Sequence, residues 1–158
     1  MRIEELLETN MRNQKLRTLD GTDFTFDYSQ HTDQYQGTFY FKYKGLTSFE
    51  GAPPDVEEDF DVSHNNLADL KNIHEHVKHI GGELNVENNP IKSHILGVLL
   101  IDGLQGVKYG RVTGKVPIPF EEAFRIVNKY LPNTMGRSAV LHCQNELIEN
   151  GLDEYAKL

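Results

Sequence analysis

The sequence has little that would place the chain in a membrane or in an oxidising compartment. None of its apolar runs approaches the roughly 18 residues of a membrane-spanning helix, and its first residues do not form the apolar segment of a signal peptide. Its single cysteine, Cys143, cannot form an internal disulfide, which fits a reducing compartment. We therefore expect a cytoplasmic protein with no membrane partner.

Positive charge is also scarce. Sixteen Lys and Arg residues stand against 24 Asp and Glu, which gives a formal net charge of −8. Nucleic-acid binding needs clustered cations, so a basic protein partner fits this chain better than DNA or RNA. The densest acidic run is Asp55-Val56-Glu57-Glu58-Asp59-Phe60-Asp61. It is interpreted as a solvated edge, as a docking surface for a Lys- or Arg-rich partner, or as a mimic of nucleic-acid charge.

Motifs for catalysis and metal binding are lacking as well. The sequence has no phosphate loop, no dinucleotide fingerprint and no nucleophile elbow. His74, His76 and His79 lie close together, but their spacing is not that of a zinc site, so we expect a surface cluster. His142 and Cys143 would point about 100° apart on a helix, and Cys143 is expected in the core. The sequence predicts no catalytic residue, no metal site and no cofactor.

What the sequence does contain is a repeat. The segment Phe60-Asp61-Val62-Ser63-His64-Asn65-Asn66-Leu67 recurs 24 residues later as Leu84-Asn85-Val86-Glu87-Asn88-Asn89-Pro90-Ile91. Val56 and Ile80, which precede the two copies, align at the same offset. Both copies read apolar-x-apolar-x-x-Asn-x-apolar, and the offset lies within the period of about 20 to 29 residues typical of leucine-rich repeats.

Each position of the pattern has a physical reason. The alternation places the apolar side chains on the core face of a short strand, and the residues between them, such as Asp61 and Ser63, on the opposite face. An Asn three positions after the second apolar residue typically turns its amide towards backbone groups at the corner that follows. Asn65 and Asn89 are therefore expected to be structural.

Further copies extend the array on both sides. Residues 38–46 form a looser copy in which Phe39, Phe41 and Leu46 match, although Lys44 replaces the Asn. The fragment 98–104 is a candidate for a fourth copy. The total of three or four copies is near the minimum of about three that a solenoid of stacked repeats needs to bury a continuous core.

The segments that flank the repeats look like caps. Residues 3–7 predict a short amphipathic helix, and the alternating segments 23–28 and 37–43 predict an antiparallel hairpin with 29–36 as its loop. We therefore expect a single domain over residues 1–158. Its parts are an N-terminal helix and hairpin (1–37), the repeats (38–110) and a helical cap (111–158).

The C-terminal segment predicts two helices. Phe120, Phe124, Val127 and Leu131 form one helical stripe, which Pro132 ends. Ser138 is the expected N-cap of a second helix, which buries Val140, Leu141, Leu147 and Ile148 and ends at Asn150-Gly151. The tail 152–158 is expected to add a helical turn. The predicted fold class is α+β: a short leucine-rich-repeat-like solenoid of parallel strands between two caps.

Two segments of the sequence resemble a family. The stretch Gly45-Leu46-Thr47-Ser48-Phe49-Glu50-Gly51-Ala52-Pro53 with its following repeats, and the ending from Cys143 to Leu158, resemble the short leucine-rich-repeat-like proteins encoded by large tailed bacteriophages. The resemblance covers roughly residues 38–158. It implies a phage origin and a repeat fold, and it supplies no reaction.

From these observations we expect a non-enzymatic protein, made during infection, that binds a host or viral protein in the host cytoplasm. Outward strand residues and the acidic run are the candidate contacts: Tyr40, Lys42, Asp55, Glu57, Glu58, Asp59, Asp61, Ser63, Asn85 and Glu87. One alternative is a structural or assembly component of the virion. A second is a small hydrolase that uses His142 or the His74–His79 cluster, although no third group orients either.

Overall fold

The computed structural model describes residues 13–17, 23–27, 34–110 and 118–158, so the helix predicted over residues 3–7 lies outside the described residues. The strands are β1 (Asn13–Arg17), β2 (Asp23–Asp27), β3 (Gln34–Tyr35), β4 (Phe39–Tyr40), β5 (Asp55–Val56), β6 (Phe60–Asp61), β7 (His79–Ile80), β8 (Glu83–Asn85) and β9 (Gly106–Lys108). The α-helices are α1 (Ile73–His76), α2 (Pro119–Asn128) and α3 (Arg137–Glu149). Two 3-10 helices span Leu96–Leu100 and Asp153–Ala156. The described chain is therefore mixed α/β, with parallel-strand sheets and few helices.

Two parallel sheets follow the repeat in the sequence. One has the order β4-β6-β8-β9 and the other the order β3-β5-β7. Phe60 pairs with Leu84, and Val56 pairs with Ile80 in the second sheet. Both pairs are 24 residues apart, so the register read from the sequence is confirmed.

The fourth strand lies later in the chain than the fragment proposed for it. Residues 96–100 of that region form a 3-10 helix, and only Asp102 makes an isolated parallel bridge, to His79. The strand that pairs with β8 is β9, where Val107 lies opposite Leu84. The fragment 98–104 therefore supplies only a single parallel bridge, at Asp102, and not the paired strand, because residues 98–100 belong to the 3-10 helix.

The core stack predicted from the alternation is present. Phe60, Val62, Leu84 and Val86 are all fully buried. Phe39 extends this stack and contacts Phe60 edge to face, with ring centroids 5.1 Å apart. Burying such side chains is the main favourable term in folding, which is why short strands of two or three residues hold their positions.

The two asparagines fill the corners, as expected. Asn65 donates to the carbonyl oxygens of Phe41 and Val62 and accepts from the Leu46 N–H. Asn89 donates to the Val62 carbonyl from the next strand along. Each amide thus joins two neighbouring copies of the repeat.

The predicted hairpin has a different partner. Residues 23–27 pair antiparallel with 13–17, and the segment at 39–40 pairs in parallel with 60–61. The expected pairing of 23–28 with 37–43 was therefore wrong. In both segments apolar and polar residues alternate and aromatic residues are frequent, so the sequence pattern alone does not determine which strand each one pairs with.

The first C-terminal helix covers the last strand. Phe124 and Val127 of α2 are fully buried. At the end of α2 the Asn128 side chain accepts from the Val107 N–H at 2.8 Å and donates to the Val107 carbonyl at 3.0 Å. A side-chain amide thus satisfies the exposed edge of β9, where a further strand would otherwise pair.

The second C-terminal helix differs in register from the prediction. It begins at Arg137 after a Gly136 N-cap, so Ser138 lies inside the first turn and is not the cap. Its buried residues are Ala139, Cys143 and Leu147, whereas Leu141 and Ile148 are 60% and 49% exposed. Gly151 ends the helix with a φ of +73°, and a 3-10 turn follows, both as expected.

Candidate functional site

The outward side of the four-stranded sheet brings together several of the predicted contact residues. Tyr40, Asp61, Asn85 and Lys108 occupy one row across the four strands, because each lies opposite the next in register. Neighbouring residues on the same face of a sheet lie roughly 5 Å apart across the strands. This row, the residues two positions before and after it on each strand, and the stacked pair Tyr43 and His64 that follow are together called the outward face below.

Two tyrosines, Tyr40 on β4 and Tyr43 three residues later, give the outward face its apolar surface. Tyr40 is 68% exposed and Tyr43 is 72% exposed. The Lys42 ammonium lies 6.0 Å from the centre of the Tyr40 ring. Tyr43 stacks on the His64 imidazole at a centroid distance of 4.5 Å. Exposed tyrosines that lie beside charged groups are typical of protein interfaces.

Two predicted contact residues are less accessible than expected. Asp61 is 6% exposed and Ser63 only 2%, although both alternate outward from the strand. The Asp61 carboxylate accepts from the Ser63 N–H at 2.9 Å and lies 3.4 Å from the Lys42 ammonium. The expectation that both are accessible is therefore corrected, because both residues are buried and the Asp61 carboxylate is held by contacts within the chain.

The next strand repeats this arrangement in a more open form. Asn85 accepts from the Glu87 N–H at 3.0 Å, and both residues are half-buried. The Asn88 amide nitrogen, next to the corner Asn89, donates to the His64 Nε2 at 3.3 Å. The predicted contacts Asn85 and Glu87 therefore remain accessible to a partner.

The acidic run is exposed in part, and its carboxylates have partners within the chain. Glu57 accepts from the Gly37 N–H at 2.9 Å, and Glu58 accepts from the Thr38 hydroxyl at 3.2 Å. Asp59 accepts from the Glu83 N–H at 2.7 Å.

Asp55, at the start of the run, lies in the other sheet. Its carboxylate is 2.7 Å from the His79 Nδ1 and accepts from the Gln34 amide at 3.2 Å. The acidic run is thus divided between two sheets, with Asp55 in one and Asp61 in the other.

The outward face contains a trough of about 330 Å³. It is lined by Thr38, Tyr40, Lys42, Asp59, Asp61, Glu83, Asn85 and Lys108. Five of these were predicted as contacts from the sequence. Thr38, Glu83 and Lys108 were missed, although extending the alternation by two residues along each strand would have found the first two. Lys108 could be assigned to the outward face only once the position of β9 was known.

The histidine and cysteine candidates are not brought together into a catalytic site. His142 is exposed on α3, whereas Cys143 is fully buried beside it. Burial raises the pKa of the Cys143 thiol to about 12, so the reactive thiolate is absent at neutral pH. His74 and His76 lie on the single turn of α1. Within the described ranges, no group of three or more His, Cys, Asp or Glu side chains is arranged to hold a metal ion.

Comparison of the chain with protein-family models, with curated proteins and with solved structures gives no significant match in any of the three. In the part of the chain that the structure describes, no helix has the length and apolar character needed to span a bilayer.

Proposed function

We propose that this chain is a non-enzymatic binding protein of phage origin that engages a host or viral protein in the host cytoplasm through its outward face. The observation that supports the proposal most directly is the pair of exposed tyrosines, Tyr40, which lines the charged trough, and Tyr43, which lies three residues further along the chain. Tyrosine supplies a large contact area at low entropy cost, and tyrosines at the centre of an interface are frequent binding hot spots.

We also propose that the parallel strands are turns of a short leucine-rich-repeat-like solenoid. The paired positions Phe39, Phe60, Leu84 and Val107 support this, since they are 21, 24 and 23 residues apart. Repeat folds of this kind bind partners through the outward side chains of their strands. Substitutions there leave the core stack unchanged.

The proposal is tested by capturing partners from phage-infected cells with the tagged full-length chain. The informative variant is the double substitution Tyr40→Ala and Tyr43→Ala, and the matched control is Leu141→Ala. Leu141 is also exposed, at 60%, but lies on α3, away from the outward face. We expect the control to recover the same partner as the wild type, and the tyrosine variant to recover more than about tenfold less.

Equal recovery by all three proteins would contradict the proposal, provided that circular dichroism shows the tyrosine variant to be folded. The alternative of a virion component has its own readout. Detection of the chain in purified particles at a fixed copy number would favour that role over binding in the cytoplasm.

A further inference from the structure

We propose that the trough of the outward face receives an arginine side chain of the partner protein. This inference rests on the proposed function and adds the chemistry of the contact. The trough is about 330 Å³ in volume, which is large enough for one long side chain with associated water, and its lining is mostly polar.

The charge of the trough favours a cation. Its lining includes three carboxylates, Asp59, Asp61 and Glu83, and two ammonium groups, Lys42 and Lys108. An occupant that adds a positive charge therefore completes the charge balance of the trough.

Two of the carboxylates lie side by side. Asp59 and Glu83 precede the paired residues Phe60 and Leu84 on adjacent strands, and the Glu83 N–H donates to Asp59. Like charges directly opposite each other in a sheet are destabilising. Among the described residues no cation forms an ion pair with either carboxylate. A cation from the partner would remove this repulsion.

The third carboxylate is the most buried. The Asp61 side chain is 9% exposed, and its cation, Lys42, lies 3.4 Å away, which is longer than the roughly 2.7–2.9 Å of a charge-assisted hydrogen bond. The Lys42 side chain is 43% exposed and can move into solvent. Asp61 can therefore share its negative charge with a cation that enters the trough.

Tyr40 selects arginine over lysine. Tyr40 is 68% exposed and lines the trough, and a planar guanidinium stacks on such a ring while it donates to carboxylates from its edge. An ammonium group is more strongly hydrated and lacks this planar fork.

The test is an NMR titration of the ¹⁵N-labelled full-length chain with two blocked tripeptides. One is acetyl-Gly-Arg-Gly-amide, and the other has citrulline, the neutral isostere of arginine, in the central position. The backbone amides of Glu83 and Ser63 report on the site, because they donate to Asp59 and Asp61. We expect saturable shifts at these amides with the arginine peptide alone.

Glu83→Gln should weaken binding of the arginine peptide about two- to fivefold, the range for a solvent-accessible ion pair. Glu149→Gln makes the same charge change on the exposed end of α3 and should leave binding unchanged. Equal shifts with the citrulline peptide, or equal effects of the two variants, would overturn the inference. The proposed function would still stand in that case if the tyrosine variant loses its captured partner.

Discussion

Replacing Asn89 by alanine tests whether the corner amide holds adjacent copies of the repeat together. Asn89 is 9% exposed. Its amide donates to the carbonyl oxygens of Val62 at 3.0 Å and Val86 at 3.1 Å, and accepts from the Leu67 N–H at 3.0 Å. Alanine removes all of these bonds at once and adds none.

The cost follows from the groups that are left without a partner. The Leu67 N–H and the Val86 carbonyl, both on buried residues, have no other partner among the described residues, whereas Val62 keeps a bond from Asn65. Each unsatisfied buried group costs about 1–3 kcal/mol, so the two together should lower the free energy of unfolding by about 2–6 kcal/mol. That is a large part of the roughly 5–15 kcal/mol of a typical domain.

The measurement is equilibrium urea unfolding of the full-length chain, followed by far-UV circular dichroism and tyrosine fluorescence. Asn145→Ala is the matched control, because Asn145 is exposed on α3 and its side chain makes no hydrogen bond within the described residues. We expect the control to lie within about 0.5 kcal/mol of the wild type. A decrease in the free energy of unfolding of less than about 1 kcal/mol in Asn89→Ala would refute the reasoning, because removing a structural amide leaves two buried backbone groups without a partner.

The parallel register was predictable because two signals agreed in the sequence. The apolar alternation at Phe60 and Leu84 and the asparagines at the following corners have the same offset, and a register slip by one residue would expose the whole core face. Local pattern therefore determined which residues pair over 24 positions.

The last strand and the hairpin were not predictable in the same way. Residues 106–108 have a single strongly apolar residue, Val107, and the position equivalent to the corner asparagines Asn65 and Asn89 is occupied by Val112. The apolar segment 98–104 matched the pattern better, but its first three residues belong to a 3-10 helix and only Asp102 makes a parallel bridge. For the hairpin, the choice between two alternating partners depends on tertiary contacts that no short window contains.

The candidate site was half predictable for a related reason. Alternation correctly placed Tyr40 and Asn85 on the outward side. It predicts which face of the sheet a side chain lies on, but it does not predict how exposed that side chain is. Asp61 and Ser63 alternate to the outward side and are nonetheless buried, at 6% and 2% exposure. Exposure on a sheet depends on both adjacent strands, and therefore on residues more than 20 positions away in the sequence.

Two further pairs of substitutions test the core and one ion pair. Val62→Asp places an unpaired charge in the buried stack and should lower the free energy of unfolding by several kcal/mol. Asp61→Asn should have little effect, because the asparagine keeps an oxygen that accepts from the Ser63 N–H. Equal thermal midpoints for the two variants would contradict the assignment of Val62 to the core face and Asp61 to the outward face. The ammonium of Lys129 holds the pKa of the Glu146 carboxyl below its ordinary value. A lowered folded-state pKa contributes stability that is present above the unfolded pKa and is lost as the pH falls through the folded one. Glu146→Gln should therefore lower the urea midpoint relative to wild type at about pH 6 and progressively less towards about pH 3. Glu149→Gln, on an exposed side chain without an ion pair in the described structure, should show a small difference that does not follow this profile; an equal profile in both variants would mean that Lys129 does not stabilise the folded carboxylate.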